Sequence, residues 1–305
     1  MHKTSGRWRY GLALALLTTL MWGLLAIALK LLLEQMDPYS ITWYRMLAAA
    51  VVLGLFLKMR GNFPDWRKLK DRKWLYMLIA ILGLAANFIL YLLSLDIITP
   101  GVAQVIIQLA PVFLLIGGIL MFGESFSRSQ FVGLLILMLG MVLFMNQRLE
   151  SLFVEFDRYA LGVLLMIISA VVWAIYALMQ KKLLQDMRSE SILFWVYLGS
   201  TLVLMPTATF SSIIPLNTLG WCLLAFCCAN SLVAYGAFAE ALDHLEASRV
   251  SAILALTPLM TLFFVAVFHY FFPEYVDSEN LNLLAYLGAI LVVIGSGVTA
   301  LAGKK

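Results

Sequence analysis

The sequence is poor in what an aqueous domain needs. Only 12% of its 305 residues are charged while 63% are hydrophobic, and the mean hydropathy is +0.95. Soluble globules carry about a quarter charged residues, so a water-soluble fold is excluded. The longest hydrophilic stretch, Lys58 to Lys73, has 16 residues, too few for a folded unit outside the membrane. Histidine is scarce: His2, His244 and His269 all lie away from the middle of any apolar run. There is no His-Glu-x-x-His, no Gly-x-Ser-x-Gly and no glycine-rich phosphate loop. A membrane enzyme is therefore disfavoured, primary active transport by this chain is excluded, and neither cofactor nor metal is implied. The three cysteines, Cys222, Cys227 and Cys228, share one apolar run and read as packing residues. Basic residues exceed acidic ones by 4, but they adjoin apolar runs without interleaved aromatics, which argues for topology signals and against a nucleic-acid partner.

Long apolar runs are what the chain does have. About 20 residues cross a ~30 Å hydrocarbon layer. Runs of that kind recur near residues 10–33, 40–58, 74–95, 100–122 and 130–146, then near 159–181, 190–210, 219–242, 249–272 and 282–302. The first is too long for a signal peptide and has no small-x-small cleavage site after it. The reading is an all-α integral membrane protein with ten transmembrane helices. Placing the N-terminus inside puts 17 of the 21 basic residues on the cytoplasmic side and only Arg148 and Arg158 in outer loops, with Lys30 and Arg45 inside spans. Both termini are then cytoplasmic, as expected for a bacterial cytoplasmic (inner) membrane protein.

The chain repeats itself. Leu20-Met21-Trp22-Gly23 to Lys30 aligns with Val171-Val172-Trp173-Ala174 to Lys181 at an offset of 151, and Leu109-Ala110-Pro111 aligns with Leu256-Thr257-Pro258 at an offset of 147. Gly133 and Gly140 recur as Gly288 and Gly295. Five spans per repeat is an odd number, so the second repeat enters the membrane from the opposite side. The expected organisation is a first repeat at 1–147, an outer linker at 148–157 and a second, inverted repeat at 158–305. Inverted repeats are the mark of secondary transporters, whose substrate site lies at the repeat interface near the midplane.

At these residues the sequence resembles the EamA-type branch of the drug/metabolite transporter superfamily. The pattern is Trp22-Gly23 with Lys30, Asp37-Pro38, Arg45, Ile98-Thr99-Pro100-Gly101, Leu109-Ala110-Pro111, and Gly123-Glu124 followed by Gly133. The resemblance implies a ten-helix bundle that moves small organic metabolites, often amino acids or their relatives, usually outward. Small multidrug pumps place a carboxylate in span 1, and this chain has none there.

Side chains that would line the path follow from polarity inside apolar runs, which is costly unless it faces protein, water or solute. Trp22 in span 1, Asn87 and Tyr91 in span 3, Gln104 and Gln108 in span 4, Trp173 and Tyr176 in span 6, and Asn230 and Tyr235 in span 8 are the substrate-binding candidates. Interhelical hydrogen bonding is the competing account for each. Amides and phenols suit a neutral or zwitterionic solute. Pro111 and Pro258, at corresponding positions, should kink their helices and shape or gate the path. Lys30 and Arg45, read as roughly 5 and 8 Å below the outer surface, either snorkel and pair with Glu34 and Asp37 or form a basic outer mouth. Glu240, the one carboxylate inside a span, pairs with Arg249 or Lys182, or else couples transport to protons. The glycine pairs pack span 5 against span 10, or make a homodimer seam. The partners expected are a small-molecule substrate and membrane lipid, with the protein a monomer or homodimer. The function expected is export of small metabolites by alternating access; a flippase for an amphiphile is the alternative.

Overall fold

The computed structural model describes residues 7–64, 72–123, 127–150, 157–245 and 247–301, except the side chains of 239, 242, 243, 247 and 248. Glu124, Lys304, Lys305, part of the basic run and most of the 148–157 linker lie outside the described residues.

The described chain is helical throughout. Its elements are α1 (Trp8–Leu33), α2 (Pro38–Met59), α3 (Lys73–Ile97), α4 (Pro100–Ile106), α5 (Ala110–Phe122), α6 (Arg128–Phe144), α7 (Arg158–Leu183), α8 (Ser189–Leu204), α9 (Thr218–His244), α10 (Ala247–Leu254), α11 (Thr257–Phe271) and α12 (Leu283–Leu301). Among the described residues nine helical stretches are long and apolar enough to cross a membrane, with Pro100–Phe122 and Arg249–Phe271 each counted as one; Arg128–Phe144 is apolar but shorter. The apolar runs thus form helices where the sequence places them.

Local chemistry sets the starts. Asp37 accepts from the amides of Tyr39 and Ser40, both at 3.0 Å, and Pro38 supplies a preset φ in the first turn. Ser127 and Gln130 form a capping box on α6, Asp157 caps α7 at Ala160, and Asn217 caps α9 at Gly220. At the other end of α5, Gly123 adopts φ +65°, which a side chain would resist.

Packing runs across the chain. Helix α1 lies against α9, α2 against α8, α3 against α7, and α6 against α12. Polar threads stitch α1 to the later helices: Thr18 donates to the Ala234 carbonyl, Thr19 to that of Ile253, and Thr261 to that of Gly23. A bonded hydroxyl carries no desolvation penalty at such a contact. The main apolar core holds Leu29, Leu32, Ile41, Leu92, Leu95 and Ile98, while large apolar side chains such as Leu120, Leu139 and Leu202 stay on the surface. That inversion of the usual surface is what a hydrocarbon solvent permits.

Candidate functional site

Two helices are broken at matching places. Proline cannot bond back to the carbonyl four residues earlier. Pro111 and Pro258 each occupy the second position of α5 and α11, directly after a local departure from α geometry in spans that otherwise run on. A 3-10 turn, Ile107–Leu109, fills the first break, and its Ile107 carbonyl accepts from the Ala110 amide. In the second, the Thr257 hydroxyl donates to the freed Leu254 carbonyl at 2.6 Å. The breaks touch. Gln108 in the first donates to the Ala255 carbonyl in the second at 3.2 Å, and the Ser296 hydroxyl of α12 reaches Gln108 Oε1 at 3.5 Å.

Beside the breaks sits a cluster of aromatic and polar groups drawn from six helices. The Trp22 ring meets Tyr235 edge-on at 5.4 Å, and Gln104 donates to the Tyr91 hydroxyl at 3.2 Å and to the Trp22 carbonyl at 3.4 Å. Arg45 projects into the same region. Its Nε donates to Ser231 Oγ at 3.3 Å and its guanidinium lies 4.6 Å from the centre of the Phe88 ring. The Tyr91, Tyr197 and Tyr235 phenols all fall within its electrostatic reach. Helix α2 starts at Pro38, so Arg45 is seven residues, about 10 Å, below its start. With 3% of its surface exposed, it is a buried cation.

Other candidates are committed elsewhere. Asn87 bonds to the Ser169 hydroxyl at 2.9 Å and carbonyl at 3.0 Å, while Ser169 Oγ donates back to the Asn87 carbonyl, so this amide joins α3 to α7. Tyr176 is buried in the same seam against Gly83, and Trp173 packs on the second apolar core. Asn230 donates to the Met21 carbonyl at 2.7 Å, and its buried Oδ1 has no partner among the described residues. On span 6, Ser169 and Tyr176 thus pack against α3, and Tyr176 also lies within electrostatic reach of the Tyr197 and Tyr235 phenols of the cluster. Of the sequence candidates, the structure gathers Trp22, Arg45, Tyr91, Gln104 and Tyr235. Sequence reasoning passed over Tyr197 and Phe88, although Tyr197 begins a polar row with Ser200 and Thr201 that marks the inner face of α8.

Lys30 stands apart from Arg45. Its ammonium donates to the carbonyls of Leu95, Asp96 and Ile98 at 2.7, 2.9 and 3.3 Å, closing the C-terminus of α3. Just beyond Ile98, the Thr99 hydroxyl and the Gly101 amide, the latter at 2.7 Å, donate to Glu279, which closes the N-terminus of α4. Burial pushes the Glu279 carboxyl above its ordinary range, although the Thr99 and Gly101 donors and Lys30 pull the other way. The α3–α4 corner is thus held by a cation on one helix end and an anion on the other. Glu240 pairs with His244, one turn along α9, at 3.2 Å, where the sequence favoured Arg249 or Lys182. A groove of about 550 Å³ between α1, α9, α11 and the segment after α11 is lined by Leu, Ile, Phe, Ala, Val and Tyr without a charged residue, and its lining shares no residue with the Arg45 cluster.

The profile of the EamA-like transporter family matches residues 9–146 and again residues 160–301. The chain belongs to this family. An Escherichia coli K12 relative, named "Uncharacterized inner membrane transporter YhbE", is 40% identical across 95% of this chain and 91% of its own length. A Haemophilus influenzae "Uncharacterized transporter" is 38% identical across 96% and 95%. More distantly, an Escherichia coli K12 "Probable amino-acid metabolite efflux pump" is 24% identical across 92% of each. One solved structure superposes with a TM-score of 0.64 over 97% of this chain and 99% of that one, at 16% identity, a likeness of fold alone. Membership places this EamA protein among membrane transporters and not among enzymes.

Proposed function

We propose that the protein is a secondary exporter of small neutral or zwitterionic metabolites, amino acids or their relatives, working by alternating access in the bacterial inner membrane. Ten spans, in two inverted repeats of five with both termini cytoplasmic, make up the machine. The observation that carries the reading is the contact between the two helix breaks at Gln108 and Ala255. Helix irregularities at corresponding positions supply a hinge beside the substrate in inverted-repeat transporters. The neighbouring cluster of Trp22, Tyr91, Gln104 and Tyr235 offers ring faces and hydrogen bonds of the kind such a solute needs. The efflux relative supports the direction and the amino-acid class, and the inner-membrane relative supports the location. The apolar groove has no basic headgroup site, and nothing favours a flippase.

The test is counterflow of labelled amino acids in proteoliposomes. Tyr91→Ala and Trp22→Ala should each lower the rate at least about tenfold, the effect of losing ~1.4 kcal/mol of transition-state interaction, with melting temperature nearly unchanged. No counterflow of any metabolite in the wild type, or equal loss of folding in both variants, overturns the reading.

A further inference from the structure

Arginine does not give up its proton in a protein, and its five N–H donors all need acceptors once buried. Arg45 is 3% exposed, yet among the described residues its guanidinium makes one hydrogen bond, to Ser231, and no ion pair. The Phe88 face contributes a cation–π contact only. The acid nearest in sequence on its own helix, Asp37, is spent on the α2 cap. Phenols, a hydroxyl and two thiols surround the charge, from Tyr91, Tyr197, Tyr235, Ser231, Cys227 and Cys228. None of these groups is an anion at neutral pH. Leaving a cation so placed costs several kcal/mol, and the same placement makes it a strong trap for a complementary anion.

We propose that Arg45 is the anchor for the solute's carboxylate, so that the transported compounds are acids or zwitterions and never amines alone. The proposal rests on the transport reading above and narrows its substrate class. A guanidinium presents two parallel N–H donors that match a carboxylate's two oxygens. Only Nε is engaged here, so an edge of the fork remains for the solute. The Tyr197 hydroxyl is taken by the Ser231 carbonyl, but Tyr91, which only accepts from Gln104, keeps its proton for the same oxygens, and Trp22 with Tyr235 forms an adjoining wall for the solute's apolar part. An isolated ammonium or a cationic drug meets no counter-charge at this place and is repelled by Arg45.

Matched probes test this on the full-length purified protein: leucine and phenylalanine, their amides, and the corresponding deaminated acids, with acetate as the bare group. Binding is read by thermal shift and transport by counterflow. In the wild type the acids should bind at least about tenfold more tightly than the amides, the ratio one charge-assisted hydrogen bond supports. Arg45→Met should bring that ratio to near one while melting no lower than the wild type, because removal of an uncompensated charge relieves its burial. Arg45→Lys should keep part of the preference. The proposal is overturned by equal binding of acids and amides, by no shift with any acid, by melting of Arg45→Met well below the wild type, or by a full preference in Arg45→Lys. Acid-selective shifts without any counterflow would instead sink the transport reading and leave the anchor standing.

Discussion

At the scale of single residues, Lys30 and Glu279 show charges balanced largely by backbone at helix ends. Lys30 meets three carbonyls and Glu279 meets an amide and a hydroxyl, each opposing the dipole of the helix end it closes. Glu279 also makes its contact testable by pH. A carboxyl raised in the folded state holds its proton more tightly there than in the unfolded chain, so it favours folding below the ordinary value of 4.5. That contribution fades as pH rises through the elevated value. Glu279→Gln does not titrate and keeps an acceptor for Gly101. The melting temperature of the wild type minus that of Glu279→Gln should therefore fall as pH rises from 4.5 toward neutrality; a difference that grows across this range contradicts the assignment. Which residues are polar inside apolar runs was legible from the sequence, whereas what each one touches was not. Asn87 and Tyr91 lie one helical turn apart, yet one is locked to Ser169 and the other joins Trp22 and Gln104. The Asp37–Pro38 cap starts α2 two residues before the apolar run does, so Arg45 lies seven residues from the start of its helix and not five. The Glu279 contact joins residues 180 apart, a separation at which no local pattern gives a signal.

At the scale of elements, the α6–α12 seam shows how small residues replace hydrophobic drive in lipid. A Cβ at Gly140 would stand 2.5 Å from the Val292 amide nitrogen and 2.8 Å from the Gly288 carbonyl, and one at Gly133 would stand 2.5 Å from Thr299 Oγ1 and 2.9 Å from the Gly295 carbonyl. The two backbones are in contact, and the glycine stripe is used within one chain, so it is not free to form a dimer seam. Gly140→Ala should lower thermal stability in detergent by about 1–3 kcal/mol through overpacking. Gly297, on α12 itself, has nothing within 4 Å of an added Cβ. Gly297→Ala should be neutral or stabilising by up to about 1 kcal/mol from helix propensity. Equal melting of the two variants would show that the seam is loose. The seven-residue spacing of the glycines was readable in the sequence; the partner helix was one of two options until the backbones were placed.

For the whole molecule, orientation and energy coupling follow from where charge is and where it is not. The 17 basic residues assigned inside and the two assigned outside should make Ser278→Cys, but not Ser129→Cys, reactive to an impermeant thiol reagent in intact cells. The reverse pattern would invert the proposed topology. Coupling is the harder matter. Proton antiport needs a group within the membrane that exchanges a proton for solute, and intramembrane carboxylates normally do this. Glu240 lies near the end of α9, half exposed and paired with His244, far along its helix from Ser231 and the Arg45 cluster. The bundle should therefore carry solute down its own gradient. If Arg45 anchors the carboxylate, the loaded carrier holds its guanidinium paired, whereas the empty one must reorient around an unpaired buried cation. Each ~1.4 kcal/mol of that difference slows the empty return about tenfold. In proteoliposomes, exchange of labelled for unlabelled acid should accordingly outrun net efflux at least about tenfold, proceed without a pH gradient, and persist in Glu240→Gln. Uphill accumulation driven by an imposed pH gradient and abolished by Glu240→Gln would overturn this and make Glu240 the coupling residue. Net efflux as fast as exchange would instead mean that the empty carrier's guanidinium finds a partner during the return.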